Sequence, residues 1–241
     1  LARHARTIQA ELRHATRDLE DLRSVEISHL AVGASPVGSA ALMGPALSRL
    51  YEAVPSVNVV VLNNEYDTMM DYLERGEIDL LVGAFTGGAR RERLVQEVLF
   101  QDPLSVLVRS GHPLTRRNNL SFADLYDAEW AIARGSAAIR HLVANEFRFE
   151  GMDPPPFAVE TDDVVCVKSL LLSSDFITAI PAELFATEID MGVLEVVPIR
   201  WHGGTLPIGF TLREHGTVTP VMQAFIDALR DVGRTIGPRR S

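Results

Sequence analysis

From Glu26 onward, short β-type runs alternate with helical runs, and this alternation limits what the chain can fold into more than any other feature. Residues 27–34 read as a strand. Ser35 then offers an N-cap oxygen, and Pro36 a first helical position that needs no amide donor. An apolar face continues through Val37, Ala40, Ala41, Leu47, Leu50 and Val54. Pro45 is expected to kink this helix, because its ring removes a backbone bond and crowds the preceding turn. A second strand at 57–62, a helix at 65–76 ended by glycine and a third strand at 78–83 complete a βαβαβ unit. Such a unit calls for a parallel sheet.

Strands at 94–100 and 104–109, interrupted by Pro103, lead into a polar loop at 110–119, where a crossing into a second lobe is expected. That lobe is predicted to hold a short helix after Ser121, a strand at 130–133, a helix at 136–149 and a loop at 154–156. A strand at 157–160, a helix at 163–172, a strand at 176–180 and a helix opened by Pro181 follow. After a strand at 193–197 and the Gly203-Gly204 loop, a strand at 206–212 and an amphipathic helix at 220–232 are expected to return to the first lobe. A length of 241 residues suits two lobes better than one core.

Ahead of this series, Leu1, Ala5, Ile8, Leu12, Ala15, Leu19 and Leu22 recur at alternating four- and three-residue steps with charged residues between them. This is a heptad seam, narrow enough to pair with another helix. The alternative is an amphipathic helix packed on its own domain. The predicted organisation is a dimerisation helix at 1–24, a first lobe at 25–107 and 206–241, and a second lobe at 108–205. Leu1 in place of a starting methionine points to a portion of the protein lying upstream.

Composition narrows the functions. The formal net charge is −9, and no Lys/Arg stripe interleaved with aromatics exists to track a phosphate backbone, so these residues are not expected to hold nucleic acid themselves. No run of about 18 apolar residues is present to span a membrane, and the N-terminus lacks the apolar core of a signal peptide. The single cysteine, Cys166, sits in the apolar run Val164-Val165-Cys166-Val167 and is expected to be a buried thiol in a reducing compartment.

Enzyme signatures are wanting, and no catalytic residue is assigned. Gly33 to Ser39 approaches a phosphate loop in glycine spacing, but Ser39 stands where the lysine is needed. Ser35 lacks the frame of a nucleophile elbow, because position 37 is valine. The seven histidines show no metal-ligand spacing, so no metal or cofactor is expected. His112 and His141 read as surface or loop residues.

An ordered series of fragments resembles the effector-binding region of LysR-type transcriptional regulators. It comprises the helix before Glu26, Leu30-Ala31-Val32-Gly33-Ala34-Ser35 entering a helix, and Leu73-Glu74-Arg75-Gly76-Glu77-Ile78-Asp79-Leu80. It continues through Leu99-Phe100-Gln101-Asp102-Pro103-Leu104, Gly111-His112-Pro113-Leu114, the stretch from Leu125 to Trp130, Gly135-Ser136 and Glu160-Thr161-Asp162. The run Pro207-Ile208-Gly209-Phe210-Thr211-Leu212-Arg213 is similar to a branch that senses sugars or aromatic acids.

The resemblance implies an α/β fold of the type II periplasmic-binding-protein kind: two αβ lobes joined by two crossover strands, with a small effector in the cleft and a linker helix ahead. It also implies a winged helix-turn-helix that contacts DNA and is absent from these residues, homodimers that pair into tetramers, RNA polymerase as a further candidate partner, and a cytoplasmic location. An extracytoplasmic solute-binding protein is the alternative, against which the heptad helix argues.

Site residues follow from strand ends and helix starts, where unpaired amides and the helix dipole attract anions. Ser35, Pro36, Val37 and Gly38 form the expected first-lobe half-site for a carboxylate- or sugar-like effector. Ala84 and Phe85 are expected beside it, Phe85 as an apolar wall or as core. In the second lobe, Arg134 and Ser136 end one strand and open a helix, while Thr161 and Asp162 do so at another. Arg134 offers a bidentate fork to a carboxylate or a solvated cation, and Asp162 a partner for hydroxyls or an ordinary first-turn acid.

Overall fold

The computed structural model describes residues 28–85, 93–134, 137–202 and 204–236. The heptad positions from Leu1 to Leu22, as well as Gly135, Ser136 and Gly203, lie outside them. The chain divides into two compact units, one drawn from residues up to Phe100 and from Pro207 on, the other from Gln101 to Leu206. The sequence expectation put the first crossing at 107/108; the units part within a strand, after Phe100.

In the first unit, β1 (Ser28–Ala34) pairs in parallel with β2 (Val57–Leu62) and with β3 (Leu80–Ala84), as the βαβαβ pattern requires. β3 pairs antiparallel with β9 (Thr205–Arg213). β2 therefore forms an edge, and the order is β2-β1-β3-β9. The helix expected after Ser35 forms in three pieces: α1 (Pro36–Gly38), a π-helical stretch (Ser39–Met43) and α2 (Gly44–Ala53). Pro45, at the start of α2, offers no N–H to the turn before it, and the expected kink takes the form of widened π turns.

α3 (Tyr66–Arg75) ends at Gly76, whose φ of 69° is left-handed and whose N–H reaches back to the Leu73 and Tyr72 carbonyls. Arg213 Nη1 donates to the carbonyls of Leu73 (2.7 Å) and Ile78 (2.8 Å), tying this corner to β9. Asp79, 6% exposed, continues the β1–β3 ladder with its side chain: its Oδ2 accepts from Ala31 N–H at 2.8 Å while its own N–H donates to the Ala31 carbonyl at 2.7 Å.

One sheet face carries Leu30, Val32, Leu80 and Val82, all buried; α2 and the closing helix α7 (Pro220–Thr235) pack together, and α7 also reaches β1. α7 opens on Thr219, whose Oγ1 accepts from Met222 N–H, and buries Phe225 and Leu229. The other face is covered by α3, where Met69, Met70 and Leu73 close over Ile78 and Leu81.

The second unit is built on the part of β4 (Leu94–Arg109) from Gln101 on, β5 (Trp130–Ile132), β6 (Val159–Glu160), β7 (Ile177–Pro181) and β8 (Leu194–Val196). β5 is parallel to β6 and β7, and β4 runs antiparallel to β7 and β8. β4 is one strand where two were expected. Pro103 does not interrupt it, and on the β7 side it lies just before the pairing, which begins at Leu104. α4 (Ala137–Phe149) places Phe147 edge-on against Phe122, Trp130 and Tyr126. α5 (Val164–Ser173) and α6 (Ala186–Asp190) are the unit's other α-helices among the described residues, and 3-10 turns at Pro113–Arg116, Phe122–Leu125 and Ala182–Phe185 connect the strands. α5 seats Val167 and Leu171 against Leu107, Ile180, Phe185 and Leu194.

Two expectations on side chains are corrected. Cys166 is exposed, because α5 turns Val167 and Leu171 to the core and leaves Val165 and Cys166 outside. His112 lies in its predicted loop but is buried: its Nδ1 accepts from Leu114 N–H (3.1 Å) and its Nε2–H donates to the Asp175 carbonyl (3.2 Å), a use of both nitrogens that holds the turn.

Candidate functional site

Alternation along β3 builds the site of the first unit. Leu81, Gly83 and Phe85 fall on the face covered by α3, and the middle position has no side chain. Leu81 is occupied from above by α3 residues, whereas Gly83 leaves a shallow concavity at the carboxyl end of the strand. Ser35 borders it from the end of β1, Thr211 from β9, Tyr66 from the first turn of α3, and Phe85 closes it. Ala84 and Val82 complete the lining.

Two glycines let these backbones approach. A Cβ on Gly38 would overlap the Val82 carbonyl, so the helix start rests directly on β3. A Cβ on Gly83 would overlap the Ser35 side chain, whose hydroxyl thus lies over bare backbone.

Ser35 caps its helix as expected. Its Oγ accepts from Gly38 N–H at 3.3 Å, and its own N–H donates to the Val82 carbonyl at 2.9 Å. Phe85 N–H donates to the Pro207 carbonyl at 2.9 Å. Thr211, 1% exposed, accepts from Gln96 Nε2 at 3.4 Å.

Of the first-lobe residues singled out in the sequence, Ser35, Ala84 and Phe85 meet in this concavity. Pro36, Val37 and Gly38 do not line it; Val37 and Gly38 are buried beneath the helix start. Tyr66 and Thr211 were not anticipated. The signal for Tyr66 is its place at the first turn after β2, since the helix starts that follow parallel strands gather at one sheet edge.

In the second unit, Arg134 follows β5 and is exposed, while Thr161 and Asp162 follow the adjacent β6. Thr161 N–H donates to the Ile132 carbonyl at 3.0 Å, and Thr161 Oγ1 accepts from Asp163 N–H at 3.1 Å. Asp163 is the N-cap of α5, its Oδ1 accepting from Val165 and Cys166 N–H. The structure therefore groups Arg134 with Thr161 and Asp162 at one strand edge.

Among the described residues, no cluster of histidine, cysteine, aspartate and glutamate is arranged to hold a metal ion, and no helix is long and apolar enough to cross a membrane.

The LysR substrate binding domain family model matches residues 23–234. The HTH-type transcriptional regulator GalR of Pseudomonas putida is 30% identical over 222 residues, which is 92% of this chain and 56% of that protein. The HTH-type transcriptional regulator GbpR of Azospirillum brasilense is 25% identical over 236 residues, 98% of this chain and 69% of that protein. This chain thus spans little more than half the length of the Pseudomonas relative.

Among solved structures, the effector binding domain of QuiR in complex with shikimate superposes with a TM-score of 0.71 at 14% identity, covering 87% of this chain and 98% of that one. CbnR, a LysR family transcriptional regulator, superposes with a TM-score of 0.70 at 17% identity, covering 95% and 78%. At such identities the likeness is one of fold, and it is the type II periplasmic-binding-protein-like fold expected from the sequence. The named relatives are transcriptional regulators, not enzymes. The chain belongs to the LysR substrate binding domain family.

Proposed function

We propose that these residues form the effector-sensing regulatory module of a DNA-binding transcriptional regulator, and that the concavity at Gly83 receives part of a small effector. The observation that carries this reading is that concavity: a small gap at the carboxyl ends of parallel strands, lined by Ser35, Tyr66, Gly83, Phe85 and Thr211 among others. The relatives support it, being named as HTH-type transcriptional regulators, and the QuiR effector binding domain was solved in complex with shikimate. None of the named relatives favours a solute-binding protein of an uptake system.

In this reading residues 25–107 and 206–241 make regulatory lobe I, and residues 108–205 make lobe II. Arg134, Ser136, Thr161 and Asp162 are the second-lobe groups offered to the effector, alongside Ser35, Pro36, Val37, Gly38, Ala84 and Phe85 of the first. DNA is contacted by a domain outside these residues. The helix at 1–24 joins two subunits, dimers pair into tetramers, and RNA polymerase is a further partner in the cytoplasm. An effector alters transcription only through differential affinity for two arrangements of the protein.

The test is a thermal-shift screen of this chain against aromatic acids, sugar acids, sugars and amino acids, followed by calorimetry on each hit. A ligand at about 100 times its dissociation constant stabilises the native state by roughly 2.7 kcal/mol, well within detection. A saturable shift supports the reading. No shift across the panel, with the chain folded, counts against it.

A further inference from the structure

Residues 200–202 run between two fixed points of the second unit. On one side Ile199 forms a parallel bridge with Leu120, and on the other the Gly204 carbonyl accepts from Leu104 N–H at 2.6 Å. Beyond Leu206 the chain leaves the second unit for the first.

His202 fastens this span to α4. Glu146 of that helix is 5% exposed, and among the described residues its carboxylate is bonded by His202 alone. The His202 backbone N–H reaches both oxygens, at 3.0 and 3.1 Å, and the ring donates from Nδ1 to Oε2 at 2.9 Å. Phe149, one turn on along α4, lies flat on the imidazole with the ring centroids 4.0 Å apart. Two residues of one helix thus grip one residue of the span, by a carboxylate and by a phenyl face.

Water can undo such a grip. Withdrawing a carboxylate from water is costly, and a charged pair offsets that cost less securely than an apolar pair of the same size. His202 and Phe149 are both exposed, Phe149 by 68%, so solvent stands ready beside the pair. Trp201 adds to the imbalance. Its ring meets Phe122 edge-on at 4.8 Å, but its indole N–H is buried and has no acceptor among the described residues. A buried donor without a partner favours any arrangement that gives it water. Opening the span hydrates the Glu146 carboxylate and this N–H together, against the loss of the Trp201 packing.

We infer that residues 200–202 are a strap that opens as a unit, and that the clasp of Glu146 and Phe149 on His202 sets how often it does so. Closed, the strap fixes the last stretch of the second unit ahead of the passage to Pro207. Open, it leaves slack between Ile199 and Gly204. The equilibrium is local and involves no ligand, so it stands or falls independently of the effector reading.

Trypsin reads the opening directly, because Arg200 is exposed and lies within the strap, and cleavage of a transiently opened segment follows the population of its open form. The 241-residue chain is digested under native conditions and cleavage after Arg200 is followed by mass spectrometry, with the urea midpoint of each variant measured alongside. His202→Phe keeps a ring against Phe149 and removes the Nδ1 donor. Cleavage after Arg200 is then expected to rise about tenfold or more, since a hydrogen bond to a charged group is lost from the closed state. His202→Asn, whose amide nitrogen stands near the Nδ1 position, is expected to stay within about threefold of the parent. Phe149→Ala disturbs no buried charge and is expected to speed cleavage about threefold, which keeps the test informative if His202→Phe fails to fold. Acrylamide should also quench more of the tryptophan emission in the variants that open, through Trp201, because Trp130 is fully buried and bonded to the Leu125 carbonyl.

Cleavage after Arg200 that matches the parent in both His202→Phe and Phe149→Ala overturns the clasp. So does faster cleavage that appears equally after Arg116, Arg117 and Arg148, or that merely tracks a lowered urea midpoint, because the contact then holds the whole unit rather than the strap. A rise in His202→Asn as large as that in His202→Phe overturns the part assigned to the Nδ1 bond with Glu146.

Discussion

Ser35 and Gly83 share one space: the hydroxyl of Ser35 lies where a side chain on Gly83 would have to begin. Position 83 therefore cannot be enlarged on its own. A methyl group at position 83 must displace either the helix cap or the strand, and Val82, its neighbour, already accepts the Ser35 N–H.

Gly83→Ala is therefore expected to destabilise the protein by about 1–3 kcal/mol, the usual range for overpacking a filled site. Ser35→Gly alone should cost only a few tenths of a kcal/mol, since glycine is tolerated at an N-cap. Combined, the two should be less damaging than Gly83→Ala by itself, because the obstructing atoms are gone. Denaturant unfolding of the three variants checks this, and penalties that merely add would show that the two residues do not compete for the space.

Much of this arrangement was legible in the sequence because it depends on local chemistry. Serine before proline at the end of a strand marks a helix start, and Gly76 marks a helix end, whatever surrounds them. Thr211 was not legible, since its place depends on the antiparallel register that sets it opposite Leu81, a residue distant in sequence. Tyr66 stands at the start of the helix expected at 65–76, but nothing local shows which residue of that turn meets the end of β3.

Pro103 and Cys166 misled for related reasons. A proline breaks a strand only where a partner needs its donor, and the partner is not visible in the sequence. The helix at Val164–Ser173 has apolar residues on all sides, so periodicity alone does not tell which face is core.

The exposed thiol gives a direct check. Cys166 is the single cysteine, and in the native chain it should react with a thiol reagent at a rate close to that of the unfolded chain. Protection by orders of magnitude would mean that this turn of helix is covered in solution, and restored reactivity on dilution would trace the cover to a second subunit.

The seam proposed at Leu1, Ala5, Ile8, Leu12, Ala15, Leu19 and Leu22 makes its own prediction. Leu12→Glu with Leu19→Glu places like charges on one apolar stripe, directly opposed in a parallel pair. Sedimentation velocity should then show the dimer dissociating at concentrations where the parent chain stays associated. An unchanged profile would favour the alternative of a helix packed on its own domain.

The last prediction concerns acid. Arg230 on α7 grips Glu97 on β4 through two parallel bonds, Nε to Oε1 and Nη2 to Oε2, each 2.8 Å, and its guanidinium also lies over the Phe210 ring of β9. Hydrogen bonding from Arg230, above all, holds the Glu97 carboxyl below its usual value of 4.5, against the opposing effect of burial and of Asp227. A carboxyl whose folded pKa is lowered stabilises the folded state fully above its unfolded value and loses that contribution as pH falls through the folded one. Both side chains are more than a third exposed, 39% and 38%, so screening limits the gain to about 1 kcal/mol or less. Urea midpoints of the parent and of Glu97→Gln should accordingly differ at pH 7 and converge as pH falls through the lowered folded pKa of Glu97, where the parent's carboxyl is protonated too. Curves that stay parallel down to pH 3 would mean that the paired geometry, rather than the charge on Glu97, holds β4 to the closing helix.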